Sequence, residues 1–324
     1  MPNAVSCRLL TPTAIRFLET TSWGDARCET TLGDASTRQY FRLRKENTTA
    51  ILMDASRNIE SVAPFIQLDK HLETLGFSVP GILAADTANG FLLLEDFGDD
   101  TFTRLLERTA EPEQLYTLAT DVLIALHKSP VAIPKSLRAY HAAKMLEDLE
   151  PFLEWCTPAK DEAAKAAFRR VWSEVLPVAH QVPVSLLLRD YHVANLMLLT
   201  EREGIRRAGL LDFQDAYQGP VTYDLMSLLE DARRTVATEL QERLIAYYLE
   251  HFPALEPKSF AASMAILAAL RHTRVLAIFE RLSRREGKHE YKKLHSPRVE
   301  RMLDKALMHP MLASVKQWFE RYAR

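Results

Sequence analysis

The chain has 324 residues, 47% apolar and 26% charged, which is enough for one large domain or two lobes around a sizeable core. A formal net charge of -2 excludes a global basic field of the kind that draws nucleic acid. Three widely separated cysteines, Cys7, Cys28 and Cys156, exclude a disulfide scaffold and a metal-type cysteine pair, and fit a reducing compartment. The N-terminal "MPNAVSCRLL" lacks the pattern of a signal peptide. No apolar run is read as approaching the roughly 20 residues of a membrane span. A soluble cytoplasmic protein with no membrane or nucleic-acid partner is expected.

In chain order, "PTAIRFLETTSW" has helical spacing through Ile15, Phe17 and Leu18. Residues 29–54 carry short strand-like runs broken by polar turns. Residues 59–75 read as a helix ended by Gly76 and followed by Pro80. The runs "GILAAD" and "GFLLLEDF" flank Asn89-Gly90, a strong hairpin signal. Beyond Phe97 the pattern turns helical. "EQLYTLATDVLIALHKS", "AAKAAFRRVWSEVLPVA", "ELQERLIAYYLEHF", "FAASMAILAALRHTRVLAIFERLS" and "RMLDKALMHPMLASVKQWFERY" are each expected to be a helix. The basic stretch "RLSRREGKHEYKK" reads as a solvated helix end. The boundary is expected after residue 97, giving an N-terminal lobe of 1–97 and a C-terminal lobe of 98–324.

One segment interrupts the helices. "LLLRDYHVANLMLLTEREGIRRAGLLDF" sets Asp190 and Asn195 before one apolar run and Asp212 after another, with the polar turn "TEREG" between. If the runs form a hairpin, Asn195 and Asp212 meet at its open end, with Asp190 nearby. An acid, an amide and a second acid suit phosphoryl transfer. Asp190 would orient the acceptor hydroxyl and accept its proton. Asn195 and Asp212 would offer the hard oxygens that magnesium prefers. "GPVTYDL" places Asp224 twelve residues beyond Asp212, at the start of a helix.

"RDYHVAN", "LLDF" and "GPVTYDLMSLLED" together resemble the active-site motifs of the aminoglycoside phosphotransferase family, relatives of the protein kinases. The resemblance implies an α+β, two-lobed, protein-kinase-like fold, with a small antiparallel-sheet lobe and a large, mostly helical one. It implies ATP and Mg2+ as cofactors, and a role for Asp224 in bracing the catalytic loop. Where the family usually reads His-Gly-Asp, this chain has Leu188-Arg189-Asp190. Gly33 and Ser36 in "GDASTRQYF" correspond to a loop that covers phosphates, and Glu95 to Phe97 to the segment whose backbone pairs with adenine. Kinase-like enzymes usually carry a lysine on the third strand to hold phosphates, but here Met53 stands in that run. Arg38 and Arg42 are the nearest substitutes, since an arginine fork binds phosphate well.

More narrowly, "LRDYHVANLM", "LLDFQDAYQGPVTYDL" and "FLLLEDFGD" resemble a branch that phosphorylates the anomeric hydroxyl of N-acetylmuramate or N-acetylglucosamine in peptidoglycan recycling. Its product feeds a sugar-phosphate nucleotidyltransferase. Gln214 and Asp215 would bond sugar hydroxyls or the acetamido group, and Arg233 and Arg271 would meet the lactyl carboxylate of N-acetylmuramate. His192 would brace the loop. A monomer is expected. The competing readings are a kinase of the same family for an aminoglycoside, choline-like or homoserine acceptor, and a nucleotide-binding regulatory module without catalysis.

Overall fold

The computed structural model describes residues 10–32, 38–108, 111–157 and 161–323. The strands are β1 (Arg27–Leu32), β2 (Gln39–Lys45), β3 (Thr48–Asp54), β4 (Ile82–Asp86), β5 (Phe91–Glu95), β6 (Val184–Leu187), β7 (Leu196–Leu198), β8 (Ala208–Leu210) and β9 (Tyr217–Pro220). The helices are α1 (Pro12–Glu19), α2 (Val62–Thr74), α3 (Phe102–Leu106), α4 (Pro112–Lys128), α5 (Ala142–Trp155), α6 (Glu162–Val175), α7 (Thr222–Leu229), α8 (Thr238–Glu250), α9 (Pro257–Glu286), α10 (His289–Ala306) and α11 (Ala313–Tyr322). They fall into two compact units, one of Met1–Thr109 with Ala194–Gln214, the other of Ala110–Val193 with Asp215–Arg324. The boundary is expected after residue 97; in this grouping residues 98–109 and the hairpin of 194–214 go with the first unit.

The first unit is built on an antiparallel sheet in the order β1-β2-β3-β5-β4. Side chains alternate across a strand. Phe41, Leu43, Ala50, Leu52, Phe91 and Leu93 thus share one face, and they form a core with Phe17 and Leu18 of α1. Thr11 caps α1 by accepting from the Ala14 amide, and Phe17 stacks on Phe91 with ring centroids 5.9 Å apart. Met53 and its cross-strand partner Leu92 lie on the opposite face, both fully buried. Gly90, at φ +83°, turns the β4–β5 hairpin as Asn89-Gly90 suggested.

The β7–β8 hairpin is stitched to this unit by backbone bonds. Leu210 N donates to Ser78 O at 2.8 Å, and Leu198 N to Asp100 O at 2.8 Å. Gly209 lies against Phe97 so closely that a Cβ there would fall 2.7 and 2.8 Å from two ring carbons. Gly209→Ala should therefore push the ring aside and destabilise the fold by about 1–3 kcal/mol, read as a lowered Tm. An unchanged Tm would show that Phe97 yields freely.

The second unit is helical around one small sheet, β6 paired antiparallel with β9. Trp172, Phe168, Phe152, Trp318 and Phe319 form the centre of its core together with buried residues of α9. α9 is long and apolar enough to cross a membrane by length and composition, which the reading of short apolar runs overlooked. Most of that apolar stretch is buried inside the unit, the behaviour of a core helix. α5 was not foreseen. The last expected helix is two, α10 and α11, because Pro310 cannot continue the first. "RLSRREGKHEYKK" is the junction of α9 and α10, where Gly287 at φ +67° caps α9.

Candidate active site

In the second unit, β6 runs into the loop carrying Asp190. Asp224, in the first turn of α7, holds this loop from behind. Its Oδ2 accepts from Leu188 N at 2.6 Å and its Oδ1 from Arg189 N at 2.9 Å. Burial pushes this carboxyl up to about 7, against the pull of the two amide bonds and of Arg271. Arg189 has φ +71°, a left-handed conformation that costs a non-glycine residue about 1 kcal/mol or more. Its side chain is tied down: the guanidinium pairs with Asp148 and lies 5.1 and 5.0 Å from the ring centroids of Tyr140 and Tyr217. Arg271 Nη1 reaches the Arg189 carbonyl at 3.4 Å, and Asp190 N closes the turn onto Leu188 O at 2.9 Å. Asp190 itself is partly exposed.

His192 is buried, and desolvation lowers its imidazole to about 4, so it is neutral near pH 7. Its folded value lies below the ordinary 6.5. The unfolded chain then binds the extra proton between pH 6.5 and about 4, and stability falls as pH drops through that window, by about 1.4 kcal/mol per unit at most. Urea unfolding from pH 6.5 to 4.5 should show a shallower slope for His192→Asn than for the unaltered protein. Equal slopes would remove His192 from this role.

In the first unit, the hairpin brings its two ends together: Leu211 N donates to Asn195 O at 3.0 Å, just beyond the Leu196–Leu210 pair. Asp212 follows at φ +57°, a second left-handed non-glycine residue. Phe213 is buried and stacks on Phe65 of α2 at 5.2 Å, which fixes how Asp212 leaves the strand. The Asp212 carboxylate is 47% exposed; its Oδ1 accepts from Gln214 Nε2 at 2.7 Å and stands 3.8 Å from Arg38 Nη1. Asn195 and Asp212 offer oxygen donors of the kind Mg2+ prefers. Among the described residues no group of three or more His, Cys, Asp or Glu is placed to hold a metal. A cation here would share its remaining positions with phosphate and water, as magnesium does.

The two candidate arginines part company. Arg38 is buried, with Nε 3.4 Å from Ser61 Oγ and its fork toward Asp212. Arg42 instead binds Asp96 and Asp99, and donates to the Gly98 carbonyl at 2.8 Å, so it shapes the turn after β5. Glu95 is engaged too: its amide donates to Gly81 O and its carboxylate takes Arg202, whose guanidinium also covers the Phe97 ring at 5.1 Å. Gly33 and Ser36 lie outside the described residues. Asp215 is exposed in the second unit, as is Arg233 in the loop after α7, where its amide donates to Asp231. Sequence reasoning missed Arg202, Phe65 and the Arg189–Asp148 pair. An arginine amid "LLLRD" was the one visible signal for the last.

Residues 28–258 match the phosphotransferase enzyme family. The chain belongs to that family. It is 35% identical to the N-acetylmuramate/N-acetylglucosamine kinase of Caulobacter vibrioides, over 94% of each chain. It is 32% identical to the enzyme of that name from Pseudomonas putida, over 80% of this chain and 77% of the other. Among solved structures, a choline/ethanolamine kinase family protein from Mesorhizobium loti matches with a TM-score of 0.64 at 15% identity, covering 94% and 98% of the two chains. An ADP-bound aminoglycoside phosphotransferase matches at 0.63 and 14%, covering 94% and 99%. These phosphotransferases share the α+β, protein-kinase-like fold expected above.

Proposed function

We propose that this phosphotransferase is an ATP-dependent sugar kinase that phosphorylates the anomeric hydroxyl of N-acetylmuramate and N-acetylglucosamine in peptidoglycan recycling. The observation that carries the reading is the match over nearly the whole of both chains to a relative of that name. In the second unit, Asp190 orients the acceptor hydroxyl and receives its proton as the phosphoryl group arrives. Asp224 and His192 brace that loop. In the first unit, Asn195 and Asp212 would hold magnesium. When bound, the ion neutralises charge on the phosphate oxygens.

Arg38 takes the phosphate-binding part that Met53 cannot. A lysine among the apolar neighbours of Met53 would be a buried charge. Arg38, already turned toward Asp212, supplies a planar fork instead. Arg42, bound to Asp96 and Asp99, is assigned to supporting the adenine-binding backbone near Glu95 and Phe97. Gly33 and Ser36, outside the described residues, are assigned to phosphate binding by the resemblance of their segment alone. Gln214, Asp215 and Arg233 border the acceptor. The product, a sugar 1-phosphate, suits a nucleotidyltransferase as the next enzyme, and the protein works as a cytoplasmic monomer.

Assays with N-acetylmuramate, N-acetylglucosamine, choline and kanamycin side by side, with NMR of the product, test the reading. Phosphate on the anomeric oxygen of the amino sugars is expected; turnover of choline or kanamycin alone would overturn it. Arg38→Ala should lower kcat/KM for ATP by about 10–100-fold, the worth of a hydrogen bond to a charged group. An unaltered value would return the search to another cation.

A further inference from the structure

Arg271 and Arg274 stand one turn apart on α9, and residues at that spacing share a helix face. Arg271 fixes which face it is, because its Nη1 reaches the carbonyl of Arg189 in the Asp190 loop. Arg274 is therefore presented to the same neighbourhood, where Asp190, Asp148, Tyr140 and Tyr223 share its electrostatic field.

The acids around it are already engaged. Asp148 takes Arg189, Lys144 Nζ at 3.0 Å and the Tyr140 hydroxyl at 2.9 Å. Asp224 gives its two oxygens to backbone amides. Arg271 is buried and committed to the loop, which leaves it poorly placed to meet a ligand. Arg274 is partly exposed and makes no hydrogen bond or ion pair among the described residues. Lys144 is shared between Asp148 and Glu147, Arg189 takes Asp148, and Arg271 is spent on the Arg189 carbonyl. Arg274 is the cation of this group whose fork has no partner among the described residues, and it sits in the field of the proposed base. Such a fork matches a planar carboxylate with two parallel bonds.

We infer that Arg274 binds the carboxylate of an anionic acceptor, and so sets a preference for a carboxylated amino sugar over its neutral counterpart. The inference rests on the sugar-kinase reading, and it moves the carboxylate partner from Arg271 to Arg274. N-acetylmuramate carries a lactyl carboxylate that N-acetylglucosamine lacks, so the two sugars form a matched pair of probes.

The test is kcat/KM for both sugars with the full-length protein, Arg274→Gln and Arg274→Lys. The ratio of the two values cancels any loss of folded enzyme within a preparation. Arg274→Gln should lower the N-acetylmuramate to N-acetylglucosamine ratio by about 10–100-fold, and Arg274→Lys should restore part of it. A ratio that stays put, whether both sugars fall together or neither falls, overturns the assignment. If the unaltered protein phosphorylates neither sugar, the sugar-kinase reading itself fails and takes this inference with it.

Discussion

Replacing Asp190 by asparagine is expected to lower kcat by about 10²–10⁴-fold, the usual worth of a general base, while ATP still binds. The amide keeps the size of the side chain, and the features that shape the loop lie elsewhere: the Asp224 bonds to Leu188 and Arg189, the Arg189 anchor on Asp148, and Arg271 on the Arg189 carbonyl. The fold should survive, so the loss belongs to chemistry. The measurement is steady-state turnover of N-acetylglucosamine alongside nucleotide affinity by titration. Turnover within tenfold of the unaltered enzyme would remove Asp190 as base. A parallel collapse of nucleotide affinity would instead mean that the substitution had disturbed more than proton transfer. The neutral sugar is the better probe, because Asp190 and Arg274 share a field and removing the acid would change how a carboxylated acceptor is held.

Much of this arrangement was legible because it is local in the chain. Asn89-Gly90 and the alternating runs beside it specify a hairpin, and β4 and β5 form it. The spacing of Asn195, two short apolar runs and Asp212 specifies another, and β7 and β8 form that. The α+β, kinase-like fold followed from motifs that sit on these pieces. What stayed hidden depends on partners distant in sequence. Arg38 and Arg42 are four residues apart on one segment and look alike. Only Asp96 and Asp99, more than fifty residues on, engage Arg42, while Arg38 is left facing Asp212. The allegiance of the hairpin was hidden for the same reason, since Ser78, Asp100 and Phe97 bind it to the first unit. α5 was obscured by Pro151, which normally breaks a helix interior but here is carried within one. Arg189 in a left-handed conformation has no local signature, because its strain is offset by Asp148, Tyr140 and Tyr217.

Asp224 gives the second large effect, and it acts through the backbone. Its two oxygens receive two amide donors at 2.6 and 2.9 Å in a fully buried place, beside a residue held at φ +71°. Asp224→Ala leaves both donors unsatisfied. Asp224→Asn is no milder in kind, since its amino group would face one of them. Each buried orphan costs about 1–3 kcal/mol, so by urea unfolding Asp224→Ala should lose about 2–6 kcal/mol and Asp224→Asn about 1–3 kcal/mol, and the remaining folded enzyme should turn over slowly because the Asp190 loop is no longer pinned. A loss below about 1 kcal/mol in both would show that the loop is held by Arg189 and Arg271 alone. The pH dependence separates this carboxyl from the rest. Its folded value of about 7 lies above the ordinary 3.8, so the folded state binds the extra proton between pH 4 and 7. Its contribution to stability is therefore present in acid and lost as pH rises through 7. Activity should run the other way, because the proton turns one acceptor oxygen into a hydroxyl facing an amide donor. Turnover should decline as pH falls below 7, and that decline should be absent from the residual activity of Asp224→Asn. If the variant keeps the same acid limb, the limb belongs to another group, and Asp224 is a structural brace whose protonation the reaction does not sense.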